Sequence, residues 1–141
     1  MEKRRITFDE GDVEFLVNDK TTITFNPTDA GFARRIFNAF EVLEKKQDEY
    51  SEELKNADGA KAYALADRMD KEMRETIDGV FGANICDGLF GTKNVYALAG
   101  GLPLWLNFIV AVFEQIDGAL TAETGKTKSR LEKYLAKYRR A

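Results

Sequence analysis

Apolar and polar residues alternate at the start of the chain: Ile6 and Phe8, then Val13, Phe15 and Val17, then Ile23 and Phe25. A period of two is the pattern of half-buried strands. Turn-forming clusters interrupt it at Asp9–Asp12 and Asn18–Lys20, so the pattern predicts a small antiparallel meander or hairpin over about residues 4–26. A two-stranded ribbon is marginal alone, and its apolar face has to lie on the helices that follow or on another copy of the chain. From Asn26 the period changes. Asn26, Pro27, Thr28 and Asp29 read as a strand end and a helix start. Beyond them Phe32, Ile36, Phe40, Leu43, Gln47, Tyr50 and Leu54 form one stripe of a helix from about Asp29 to Asn56. Asn56–Gly59 stops it, and a second helix runs from about Ala60 to Asp78 with Ala62, Leu65, Met69, Met73 and Ile77 on one side. The short connection implies an antiparallel helical hairpin over residues 29–78 with facing stripes. Met69 and Met73 suit either core filling or an adaptable docking surface, because thioethers serve both.

After Gly79 the texture becomes apolar. Phe81-Gly82 and Phe90-Gly91 bracket a short predicted helix, and a second short helix is expected over Asn94–Ala99. Val95–Phe113 is a run of 19 residues without a charge, close to the roughly 20 apolar residues that a membrane span needs. Gly100, Gly101 and Pro103 break its first half, so the continuous helix is expected from Pro103 to about Leu120, ended by Asp117 and Gly118. Apolar nearly all round, such a helix is a core element covered on most sides, or one that leaves part of its surface for a partner. A last helix is expected near Thr127–Arg139. The fold class is therefore α+β and mostly α. One domain of 1–141 comprises a β segment (4–26), a long antiparallel helix pair (29–78), an apolar helical cluster (79–120) and a basic C-terminal helix or tail (121–141).

Composition narrows the chemistry. The chain of 141 residues has no histidine and one cysteine, Cys86, which excludes imidazole catalysis, His-based metal sites and an intramolecular disulfide. Neither phosphate-loop glycine pattern occurs. Asp87 and Asp117 flank the apolar segment and read as helix caps or terminators. No catalytic residue, cofactor or metal is expected. Met1–Arg5 leads into the alternating segment instead of an apolar run, so no secretory signal is expected. Of the net charge of −3, Lys126–Arg140 carries +6 and the remainder −9. The basic end suits a solvated helix C-terminus or pairing with acids. Nucleic acid is not the expected partner, because no aromatic stacking platform or recognition-helix pattern accompanies the charge.

Three blocks together carry a family resemblance: Phe25–Asp29 followed by Phe32–Phe37; Ile77–Gly82 with Cys86-Asp87 and Leu89–Gly91; and Asn94–Tyr96 with Gly101–Trp105. They are similar to small proteins encoded in the tail-gene clusters of phages and prophages of Gram-positive bacteria, a family described as tail assembly chaperone-like. The resemblance runs over about residues 22–139 and offers no catalytic residue to carry over. It implies a non-enzymatic protein in the cytoplasm of the bacterial host that holds the tape-measure protein soluble during siphovirus-type tail assembly. The alternatives are a structural tail completion or connector subunit, and a small phage-encoded regulator or inhibitor of a host protein. For a chaperone, an apolar groove has to accept an amphipathic helix. The candidate contact residues are Leu102, Leu104, Trp105, Phe108, Met69 and Met73. Homo-oligomerisation through the N-terminal strands is a further expectation, since they offer an edge for self-pairing.

Overall fold

The computed structural model describes residues 2–116 and 122–139, without the side chains of 122–128 and 138–139. Strands β1 (Val13–Val17) and β2 (Thr21–Phe25) pair antiparallel, Val13 opposite Phe25 and Val17 opposite Thr21. Asn18 and Asp19 turn the chain at φ 51° and 57°, the left-handed region that short polar side chains tolerate, and the Lys20 N–H donates to the Val17 carbonyl at 3.0 Å. The sheet is a hairpin and not a three-stranded meander. Residues 4–8 form no strand, and Ile6 and Phe8 stand 90% and 78% exposed. The cause is local. Asn26 Nδ2 donates to the Glu10 carbonyl at 2.8 Å and the Gly11 N–H donates to Asp9 Oδ1 at 2.8 Å. These bonds hold the preceding segment at the end of β2 instead of folding it back along β1.

Helix α1 (Ala30–Leu54) starts where Asp29 Oδ1 accepts the Gly31 N–H at 2.8 Å. Its buried stripe, Phe32, Ile36, Phe40, Leu43 and Gln47, faces that of α2 (Gly59–Phe81), with Leu65, Met69, Met73 and Ile77 buried. The second helix outruns the expected end at Asp78. Phe81 in the extra turn packs edge-on against Phe25 and Phe32, and termination waits for Gly82 at φ 65°.

A short α3 (Cys86–Phe90) follows, then the tiny ladder of β3 (Leu98–Ala99) and β4 (Leu102–Pro103) around Gly100 and Gly101. The helix expected over Asn94–Ala99 is absent, because the Val95 and Ala97 carbonyls accept from the N–H groups of Trp105 and Leu104 at 3.1 and 2.8 Å instead of from a following helical turn. The Val95 N–H donates to Asp70 Oδ1 at 2.8 Å and the Tyr96 N–H to Asn94 Oδ1 at 2.9 Å, leaving an irregular loop bolted to α2. Helix α4 (Leu104–Gln115) is shorter than expected, since Ile116 is already extended at ψ 130°. The terminating roles expected of Asp117 and Gly118 lie outside the described residues. Helix α5 (Ala122–Arg139) begins before Thr127, with Gly125 inside it.

These elements share one core. Trp105, Leu106 and Ile109 of α4 are fully buried, and the Phe40 ring meets Tyr134 of α5 edge-on at 5.4 Å. Leu131, Tyr134 and Leu135 dock α5, while Arg130 pairs with Glu41 and Glu44 of α1 at 3.6 and 3.5 Å. The apolar run is thus covered mainly by the protein's own helices. Among the described residues no helix is long and apolar enough to cross a membrane.

Candidate partner-binding groove

One side of α4 lacks a full cover. Val110 is half-buried and Ala111 exposed although the helix is apolar around most of its circumference. Two concavities open there and meet at Val17, Asn18, Phe108 and Ala111. The larger, of about 320 Å³, lies between the hairpin turn, α3 and the first half of α4, with Leu89, Phe90 and Leu104 in its walls and Lys20 and Lys93 beside it. The smaller, of about 260 Å³, lies between β1 and the second half of α4, bounded by Phe15, Val112 and Gln115.

Side-chain bonds from α2 fix the walls. Arg74 lies almost covered, with Nε on Asp70 Oδ2 at 3.0 Å. Its Nη2 donates to the carbonyls of Gly91 and Lys93 at 2.9 and 2.7 Å, and its Nη1 reaches Asp87 Oδ1 at 3.3 Å. The guanidinium also sits over the Phe90 ring at 5.8 Å. Asp78 Oδ1 accepts the N–H groups of Ile85 and Cys86 at 2.9 Å each, at the entry to α3. A planar five-donor cation and two acceptor carboxylates therefore clamp the α3 loop, and with it Leu89 and Phe90. This clamp was not legible in the sequence. Asp70, Arg74 and Asp78 sit among many charges on an amphipathic helix, and nothing in their spacing separates them from solvated neighbours. Asp87, expected to cap or terminate a helix, lies in the first turn of α3 and pairs with Arg74.

The six candidate contact residues divide. Leu104 and Phe108 line the larger concavity, and Phe108 the smaller as well. Leu102 is half-buried in β4 and lines neither. Trp105, Met69 and Met73 lie in the interior, 0%, 2% and 0% exposed, so in this conformation the protein's own helices occupy their surfaces. The Met pair fills the α1–α2 core. Wall residues missed in the sequence include Val17, Leu89, Phe90 and Ala111, with Phe15, Val112 and Gln115 around the smaller concavity. Leu16 carried a readable signal, because its even position in β1 puts it on the solvent side, where it is 65% exposed.

The cysteine, Cys86, is not among the residues that wall either concavity. Burial, reinforced by the Asp78 carboxylate, pushes the Cys86 thiol well above its ordinary range and keeps it protonated. Among the described residues no group of three or more His, Cys, Asp or Glu side chains is placed to hold a metal ion. Comparison of the chain with protein-family models, with curated proteins and with solved structures finds no match in any of the three.

Proposed function

We propose that the protein is a non-enzymatic, tail assembly chaperone-like factor that holds the tape-measure protein soluble in the cytoplasm of the bacterial host during siphovirus-type tail assembly. One observation carries this reading. Leu89, Phe90 and Leu104, from the two blocks that most specifically resemble the tail-cluster family, come together in the wall of the larger concavity. An amphipathic helix binds such a groove by seating apolar side chains three and four residues apart, and acids on its flank would meet Lys20 and Lys93. A tape-measure protein is long, helical and aggregation-prone before the tube encloses it, so it presents such stripes.

Co-expression tests the proposal. The wild-type chain should keep the tape-measure protein in the soluble fraction and co-purify with it. Leu104→Asp and Ala111→Glu, at a half-buried and an exposed position, should abolish both effects with unchanged far-UV circular dichroism. Equal capture by wild type and variants, or no capture, removes the proposal. Mass spectrometry of purified virions separates the chaperone from a structural tail subunit, which alone would be found in the particle.

A further inference from the structure

The inner face of the N-terminal sheet is closed along one strand and open along the other. Ile23 and Phe25 of β2 are 3% and 5% exposed, whereas their partners across the ladder, Phe15 and Val13, are half-buried and 41% exposed. Among the described residues no strand pairs with the outer edge of β1. That edge therefore presents a row of free N–H and C=O groups. Beneath it lies the smaller concavity, walled by Phe15, Val17, Phe108 and Val112. An unpaired edge above an apolar pocket suits an added strand: main-chain bonds give affinity and alternate side chains give specificity.

The chain itself carries a segment of matching pattern. Ile6 and Phe8, both largely exposed, are two residues apart and project to one face of an extended strand. Lys3, Arg4 and Arg5 make this arm basic, while residues 9–19, which include β1, hold five acids and no cation. An arm laid along β1 with Ile6 and Phe8 inward puts Arg5 on the solvent side, the face that also carries Glu14, and opposite charges on one face of a strand pair are favourable. The arm is tied away from its own β1 by the bond from Asn26 to the Glu10 carbonyl at the end of β2.

We propose that residues 4–9 of one copy add as a third strand to the free edge of β1 in a second copy, with Ile6 and Phe8 seated in the concavity between β1 and α4. This deepens the self-association expected of an assembly protein and does not depend on the tape-measure reading. Exchange of arms covers on each copy Ile6 and Phe8, the two most exposed large apolar side chains among the described residues, and the less covered strand of the hairpin.

Sedimentation of the full chain across a concentration series should give a mass of twice the 15.9 kDa monomer or more. The double substitution Ile6→Asp and Phe8→Asp, at two side chains largely exposed within their own copy, should weaken association at least about 100-fold, the loss expected for removing two apolar anchors. Phe8→Cys and Gln115→Cys report the geometry, because Cys86 is buried and does not compete. Mixing the two variants, each with one added cysteine beside the buried Cys86, should give a covalent dimer under mild oxidation. A monomeric wild type, a substituted arm that leaves the mass unchanged, or no covalent dimer from the mixed cysteine variants would each overturn the proposal. Failure of tape-measure capture would leave these results untouched.

Discussion

The indole N–H of Trp105 donates to Oε1 of Gln47 at 2.8 Å, joining two helices in the middle of the core. Gln47 is the buried polar residue of that core among the described residues, and its own amide donates to Ser51 Oγ at 3.2 Å. A buried tryptophan needs a partner for its N–H, and α1 supplies it from a stripe that is otherwise apolar. Gln47→Leu should therefore destabilise the protein by about 1–3 kcal/mol, the cost of a stranded buried donor, although leucine is more hydrophobic. The double variant Gln47→Leu with Trp105→Phe should lose less than the sum of the single changes, because the second substitution removes the donor that the first strands. Urea unfolding of the four proteins measures the coupling; additive losses would show that the bond carries no net energy.

Much of the architecture could be read from residue periods alone. The stripes of α1 and α2 fall where the intervals of three and four put them, and Asp29 caps as its position suggests. The arm at Ile6 and Phe8 was misplaced because alternation specifies a strand's period and not its partner; here Asn26 captures the Glu10 carbonyl. A helix is expected over Asn94–Ala99, yet the N–H groups of Trp105 and Leu104 take the Val95 and Ala97 carbonyls, and Asp70 holds the Val95 amide. Trp105 of the candidate contact set lies in the interior for a related reason. An apolar residue in an all-round apolar helix carries no mark of which side a neighbour will cover, so Trp105 and Phe108 look equivalent until the hairpin is placed.

Arg74 binds carbonyls on both sides of Thr92 and carboxylates on two elements, so its removal acts at a distance from the groove's own side chains. Arg74→Lys retains the charge but loses the planar fork, and should cost about 2 kcal/mol, the scale of charge-assisted hydrogen bonds in a mostly covered site. Hydrogen exchange should quicken across residues 85–95, whose amides and carbonyls the clamp holds, and stay unchanged in the N-terminal half of α1. Uniform acceleration over the whole chain would instead mean that Arg74 contributes only to global stability.

Tyr96 presents the opposite case. Its ring stacks on Tyr50 at a centroid distance of 4.3 Å, but its hydroxyl is buried with no hydrogen-bond partner among the described residues. Tyr96→Phe keeps the stack and removes the stranded group, so it should stabilise the protein by about 1 kcal/mol. A loss of stability in thermal or urea unfolding would show that the hydroxyl makes a bond in solution.

Alkaline pH should unfold this protein through two buried acids. Burial, with Asp78 as the next cause, raises the Cys86 thiol above its ordinary value of 9.0. Burial, with Glu72 next, raises the Tyr96 phenol above 10.0. The sign follows from which state keeps its proton. Above the unfolded value the unfolded chain has released it while the native chain has not, so the native state binds more protons and loses stability as pH rises. Stability should be flat with respect to these two groups at neutral pH. It should begin to fall near pH 9.0, the ordinary thiol value, and fall more steeply above 10.0, where the phenol joins it. Each group contributes a limiting slope of about 1.4 kcal/mol per pH unit. Cys86→Ala should remove the first inflection and Tyr96→Phe the second, whatever either does to stability at neutral pH. Urea midpoints measured from neutral to strongly alkaline pH distinguish the cases; wild-type and doubly substituted proteins with parallel profiles would mean that neither group titrates differently on folding.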